Sequence, residues 1–189
     1  MNLDLVITEL DMGGAERCFV NLALYLSDRG HRVRVISIGP PTGGPRGVLV
    51  DQLKAADLEL HFLGGHSLSQ LPFVYSRLKQ FVKWQRPDVA QSFLFHANAV
   101  CAAVYPRLGV PLVGGARVAE PRRWRHRWSR WAATKMEKMV CVSNSVAQWS
   151  AAVEKIPQSK LMAIPNGVTL RHHPIAINRA DHNIPDNAP

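Results

Sequence analysis

Met12-Gly13-Gly14-Ala15-Glu16-Arg17 is the stretch whose reading decides the fold of this chain. An apolar run, Leu3 to Thr8, stands before it, and an amphipathic run, Ala15 to Arg29, follows. Together they read as strand, glycine turn and helix. Two adjacent glycines free the backbone for positive φ and let a ligand approach the main chain. The helix behind them opens with unpaired N–H groups and a positive dipole end, a setting that suits phosphate. The pattern is neither G-x-G-x-x-G nor the P-loop with its lysine. From these residues alone, the turn either cradles a ligand or merely reverses the chain.

Working outward, Ala15, Cys18, Phe19, Leu22, Ala23 and Leu26 form one apolar helical face, closed by Gly30 at the C-terminal end. Val33 to Ile38 reads as a second strand, and the Pro- and Gly-rich residues 39–47 as a loop. A short helix over 48–56, a strand at 58–62, a loop carrying His66 and a helix over 71–84 come next. Strand four is Val89 to Phe93. His96-Ala97-Asn98 opens a helix that runs to Tyr105, and Leu112-Val113 is strand five. Pro121 is placed as the first residue of a helix ending at Lys135. Met139 to Val142 is strand six, Ser143-Asn144 caps a helix to Val153, and Leu161 to Ile164 is a last short strand. Strands alternate with helices throughout, which predicts an α/β fold: a Rossmann-like parallel sheet with helices on both faces. The expected strand order is 3-2-1-4-5-6. A ligand then belongs where the order reverses, between the loops after strands one and four. That places Gly13 and His96 on one crevice. Residues 3–170 form the domain, and 171–189, without periodicity, read as a linker.

Composition narrows the class. With 189 residues and 47% apolar content, the chain is long and apolar enough for one packed domain. No apolar run reaches the ~18 residues of a membrane span, and Asp4 and Glu9 within the N-terminal apolar stretch argue against a signal peptide. Cys18, Cys101 and Cys141 are scattered and odd in number, so neither a zinc site nor a disulfide framework is expected, and a reducing cytoplasm is. The formal charge of +9 is uneven: residues 107–138 hold nine Lys/Arg against two Asp/Glu. Such a patch suits an anionic partner.

The basic patch centres on Arg122 to Trp131. Trp124, Trp128 and Trp131 stand at i, i+4 and i+7, with arginines between them. Tryptophans packed on the sheet beneath solvated arginines is the simpler expectation. An interfacial helix on an anionic bilayer is the functional alternative. Nucleic acid is not expected as a partner, because no recognised nucleic-acid module matches. His96 lies just past a strand's carboxyl end, where an imidazole can donate to a sugar hydroxyl or a phosphate; it equally suits a helix-capping position. Arg117, after strand five, is either a second anion contact from the same side or a surface arginine.

Four motifs in order carry a family resemblance. They are Gly13-Gly14-Ala15-Glu16-Arg17 with Gly30-His31-Arg32-Val33; Arg86-Pro87-Asp88-Val89 with Phe95-His96-Ala97-Asn98; Val140-Cys141-Val142-Ser143-Asn144-Ser145; and Ile164-Pro165-Asn166-Gly167-Val168. The chain resembles the N-terminal domain of a family 4 glycosyltransferase of the GT-B fold. The resemblance implies one half of a two-domain enzyme that transfers a sugar from a nucleotide-sugar donor to a glycan or lipid-linked acceptor, with retention and with neither metal nor other cofactor. It implies that Gly13 and Gly14 bring backbone N–H groups to the donor diphosphate or the acceptor and that His96 contacts the transferred sugar. It also implies that Arg117, Asn144 and Asn166 bind substrate. From the residues alone, Ser143-Asn144 caps a helix and Asn166-Gly167 makes a turn. Two departures stand out. Gln91-Ser92-Phe93 occupies the place of a histidine pair common in the family, and the family's E-x7-E pair is absent. The segment 171–189 then reads as a linker toward a donor domain, and the chain is expected to be inactive alone. A non-catalytic module that docks on a separate donor domain or on a membrane is the other expectation.

Overall fold

The computed structural model of the chain describes residues 1–167, the side chain of Leu68 excepted. The linker expected at 171–189 and Val168 of the fourth motif lie outside the described residues. Seven strands alternate with helices: β1 (Asn2–Ile7), α1 (Gly14–Asp28), β2 (Arg32–Ser37), α2 (Val48–Ala55), β3 (Glu59–Phe62), α3 (Leu71–Trp84), β4 (Val89–Phe93), α4 (Phe95–Val104), β5 (Leu112–Ala116), α5 (Arg123–Thr134), β6 (Lys138–Cys141), α6 (Asn144–Ala152) and β7 (Leu161–Ala163). All pairs are parallel, in the order β3-β2-β1-β4-β5-β6-β7. The expected order is found, with β7 added at the far edge.

Strand side chains alternate between two apolar layers, as the pleat requires. Leu5, Ile7, Val33, Val35 and Phe93 face Phe19, Val20 and Ala23 of α1 and Leu49, Val50 and Leu53 of α2. Val6, Ile36, Ala90, Leu112 and Met139 face α3, α4 and α5. Gly30 stops α1 at φ +80. The N–H of Gly30 donates to Ser27 O and that of His31 to Leu26 O, which satisfies two of the helix's last carbonyls.

Two expectations at α5 are corrected. Pro121 is not its first residue. The Glu120 carboxylate accepts from Arg122 N at 3.0 Å and from Arg125 Nη1 at 2.7 Å, so a turn folded around Glu120 delays the helix to Arg123. Nor is the tryptophan stripe packed away. Trp124 is 50% and Trp128 52% exposed, and Trp131 alone reaches the core. The small residues Ala132 and Ala133 are buried instead, so Trp124 and Trp128 fall on the outer side of the helix. Arg123, Arg127 and Arg130 are exposed as expected.

A buried polar cluster closes the sheet on the α3–α4 side. Arg34 donates through Nε and Nη2 to the two Asp4 oxygens at 2.9 and 2.8 Å, and Tyr105 Oη donates to Asp4 at 2.7 Å. Arg34 Nη2 also reaches the carbonyl of Gln85. Burial pushes the Asp4 carboxyl above the usual carboxylate range, against the pull of Arg34 and Tyr105. Burial and Asp4 push the Tyr105 phenol well up, so it stays a donor. Every acceptor lone pair that matters is thereby engaged. Removing one charge strands the other in the core. Asp4→Asn should therefore cost about 3–5 kcal/mol in denaturant unfolding, whereas the triple change Asp4→Leu, Arg34→Met, Tyr105→Phe should recover most of that loss.

Candidate functional site

The order reverses between β1 and β4, and a cleft of about 460 Å³ opens there at the carboxyl edge of the sheet. Its lining comes from five places. Thr8 and Glu9 follow β1, Ile38, Gly39 and Pro40 follow β2, Gly65, His66 and Ser67 follow β3, Leu71 and Val74 stand on α3, and His96 stands in the first turn of α4. The floor is fixed by backbone bonds that extend the sheet past its strands: Ile38 N to Ile7 O, Gly39 N to Thr8 O and Gly65 N to Ile38 O, all 2.8 to 2.9 Å. Gly65 permits this closeness. A Cβ there would stand 2.7 Å from Val74 Cγ2 and 3.2 Å from Ile38 O.

One residue, Leu94, joins β4 to α4. It adopts φ 72, ψ 161, a region that side chains other than glycine's avoid at a cost of order 1–3 kcal/mol. The helix has no cap from Leu94 itself; Thr8 Oγ1, across the cleft floor, accepts from Ala97 N at 3.3 Å. Asn98 holds the same turn from behind. Its Nδ2 donates to Gly115 O at 3.0 Å, while its Oδ1 accepts from Ser92 Oγ at 2.7 Å and Gly115 N at 3.3 Å. The buried Asn98 amide thus ties α4 to β4 and β5 together, and the ring of His96 is carried on a turn fixed at both sides.

His96 is half-buried. Burial lowers its pKa below the usual 6.5, and Arg125 and Arg122 push the same way against Glu120. Near neutral pH the ring is therefore uncharged, with one nitrogen donating and the other accepting. Its edge meets Phe95 with centroids 5.2 Å apart, and Phe95 in turn meets Trp124 at 5.6 Å.

The other candidates are not gathered on this cleft. Arg117 and Asn166 share a second cavity, about 820 Å³, beside α1 with Cys18, Tyr25 and Gln91. There Arg117 Nη1 donates to Asn166 Oδ1 at 2.6 Å, and the guanidinium lies 4.2 Å from the centre of the Phe93 ring. Burial lowers its pKa. Asn144, the first residue of α6, lines a third cavity with Gln148 and Gln158. The cap of α6 is Ser143, whose hydroxyl accepts from Val146 N at 3.2 Å. Gly13 and Gly14 line none of the three. Neither adopts positive φ: Gly13 is extended at φ −153, and Gly14 begins α1. The Glu16 carboxylate folds back over Gly13, where an added Cβ would lie 2.1 Å from Oε2, while one on Gly14 would meet nothing within 4 Å. The anion at this helix start is thus the chain's own, near the positive end of the α1 dipole. Sequence reasoning did not nominate Thr8, Glu9, Gly39 or His66. His66 was legible, because it follows the carboxyl end of a strand as His96 does. Among the described residues no group of three His, Cys, Asp or Glu side chains converges as metal ligands do.

A family model described as Glycosyltransferase Family 4 matches residues 12–172. Among curated protein sequences none matches the chain. Solved structures share its fold. Anabaena HepE in complex with UDP-glucose superposes with a TM-score of 0.74 at 17% identity, over 89% of this chain and 44% of that one. A glycosyltransferase from Rickettsia africae gives 0.64 at 21% identity, over 100% and 50%. The lipopolysaccharide outer core galactosyltransferase WaaB gives 0.70 at 10%, over 91% and 47%. The chain spans about half the length of these structures and has the architecture of one half of a GT-B fold.

The lowered pKa of His96 has a signed consequence. Just below pH 6.5 the unfolded chain binds more protons at this site than the folded one, so stability falls as the pH drops from 6.5 toward the folded-state pKa. In urea titrations over that window His96→Gln should show a shallower loss of stability than the parent chain. Equal slopes would mean that His96 is not held neutral by its surroundings.

Proposed function

Because the chain belongs to glycosyltransferase family 4, we propose that it is the acceptor-side domain of an enzyme that moves a sugar from a nucleotide-sugar donor to a glycan or lipid-linked acceptor, with retention of configuration. The cleft at the β1–β4 reversal supports this reading most directly, with a neutral His96 on a turn that Leu94, Thr8 and Asn98 hold in place. A neutral imidazole can donate to one sugar hydroxyl while accepting from another. His96 contacts the transferred sugar. Gly13 and Gly14 offer backbone N–H groups to the donor diphosphate or the acceptor once Glu16 swings aside, and Arg117, Asn144 and Asn166 bind other parts of the substrates. The nucleotide-sugar class of donor is supported by the UDP-glucose in the Anabaena HepE structure, and a cell-envelope glycan by the likeness to WaaB. The three free cysteines suit a reducing cytoplasm. A lipid-linked acceptor would place the enzyme at the inner face of a membrane.

Transfer needs the donor diphosphate held beside the acceptor, and an open cleft leaves each charge interaction screened by water. A second, donor-binding domain therefore has to close over this edge. Two measurements test the reading. In a chain that carries both domains, His96→Ala should lower kcat/KM on the order of a hundredfold while leaving the unfolding midpoint nearly unchanged; unaltered kinetics would remove His96 from the site. The 189-residue chain by itself should fold, bind acceptor weakly and transfer nothing from a panel of nucleotide sugars. Turnover by that purified chain would show that it works without a partner domain.

A further inference from the structure

The outer face of α5 is left unexplained by the cleft. Arg123, Arg127 and Arg130 run down it at i, i+4 and i+7, and Trp124, Trp128 and Trp131 run beside them one residue on, the first two exposed and Trp131 leaning on the core. Successive residues are 100° apart, so these are two adjacent stripes, one cationic and one aromatic. The indoles brace one another: Trp128 and Trp131 meet edge to face with centroids 5.8 Å apart, and Trp124 meets Phe95 the same way at 5.6 Å. Two of them are still half exposed. Among the described residues Arg122, Arg123, Arg127 and Arg130 form no salt bridge, and Glu120 is taken by Arg125. The chain therefore holds a cationic stripe without countercharge beside rigid, amphipathic rings that are partly wet.

We propose that this face of α5 docks on an anionic lipid bilayer, with Trp124 and Trp128 at headgroup depth and the arginines on the lipid phosphates. Indoles suit that depth because an apolar body and an N–H edge are both satisfied there, and guanidinium groups pair with phosphate oxygens. A single-stranded nucleic acid would need free aromatic faces for base stacking, whereas these rings are set edge to face against one another. The docked face also borders the cleft. Trp124 touches Phe95, and Phe95 touches His96, so an acceptor anchored in the bilayer would meet His96 close to the surface that holds it. This last step rests on the function proposed above; the docking itself does not, and its test involves no sugar transfer.

The test is co-sedimentation of the purified chain with vesicles of phosphatidylcholine alone and of phosphatidylcholine with about one third phosphatidylglycerol. Binding is expected to the anionic vesicles only, with loss on raising salt from about 50 to 500 mM as the Debye length shrinks. Each basic residue near an anionic leaflet contributes roughly fivefold to partition, so Arg123→Gln with Arg127→Gln should weaken binding on the order of twentyfold. Trp124→Ala with Trp128→Ala should weaken it too and abolish the blue shift of indole emission expected on binding. Both pairs lie on the outer side of the helix, and circular dichroism checks that the variants stay folded. No binding to anionic vesicles at low salt would overturn the proposal. Binding unchanged in both double variants would overturn it as well, as would tight binding of an RNA oligomer by a chain that ignores vesicles.

Discussion

Every strand in this sheet runs the same way, and that constraint arranges everything else. A parallel neighbour can be reached only by carrying the chain back along a face of the sheet, so each helix begins at the carboxyl edge. α1 and α2 return on one face; α3, α4 and α5 return on the other. The change of face coincides with the jump from β3 at one end of the sheet to β4 beside β1. Loops on either side of that jump diverge, and the space between them is the cleft. The site is a consequence of topology before any side chain is considered.

Polar groups buried in this layer of the core serve two separate tasks. Asp4, Arg34 and Tyr105 pair charge with charge and fix how β1, β2 and the end of α4 meet. Ser92, Asn98 and Gly115 pair neutral amide, hydroxyl and backbone groups and fix where α4 begins. In both clusters each buried side-chain polar atom finds a partner inside the protein, as burial demands. One end of α4 is therefore anchored by an ion pair and the other by a carboxamide, and His96 lies next to the second anchor.

The sequence spoke clearly wherever a period or a breaker residue governs structure. Alternating strands and helices gave the sheet order, and Gly30 marked the end of α1. It spoke less clearly where the answer depends on which neighbour is present. Pro121 looked like a helix start because proline suits that position, but the Glu120 carboxylate holds the preceding turn. The tryptophan spacing was read correctly as a stripe, but spacing does not say which side of a helix faces in; Ala132 and Ala133 decide that. Gly13-Gly14 suggested positive φ, yet both residues have ordinary backbone angles. Sequence does not reveal that His96, Arg117 with Asn166, and Asn144 line three separate cavities, or that Gly13 and Gly14 line none of them. Asp4 was noticed only as a charge in an apolar run, because its partners lie 30 and 101 residues away.

The single residue between β4 and α4 has a bearing on how such a site can change over time. The loops that supply the other walls of the cleft, 8–13, 38–47 and 63–70, can lengthen or shorten at little cost, since loop-closure entropy grows slowly with length. Leu94 has no such slack. An insertion there would rotate α4 and break the hydrogen bonds of Thr8 and Asn98 together. The cleft therefore has a wall that resists insertion beside three loop walls that tolerate it. A different ligand can be accommodated by rebuilding the loop walls, while the His96 imidazole keeps its address.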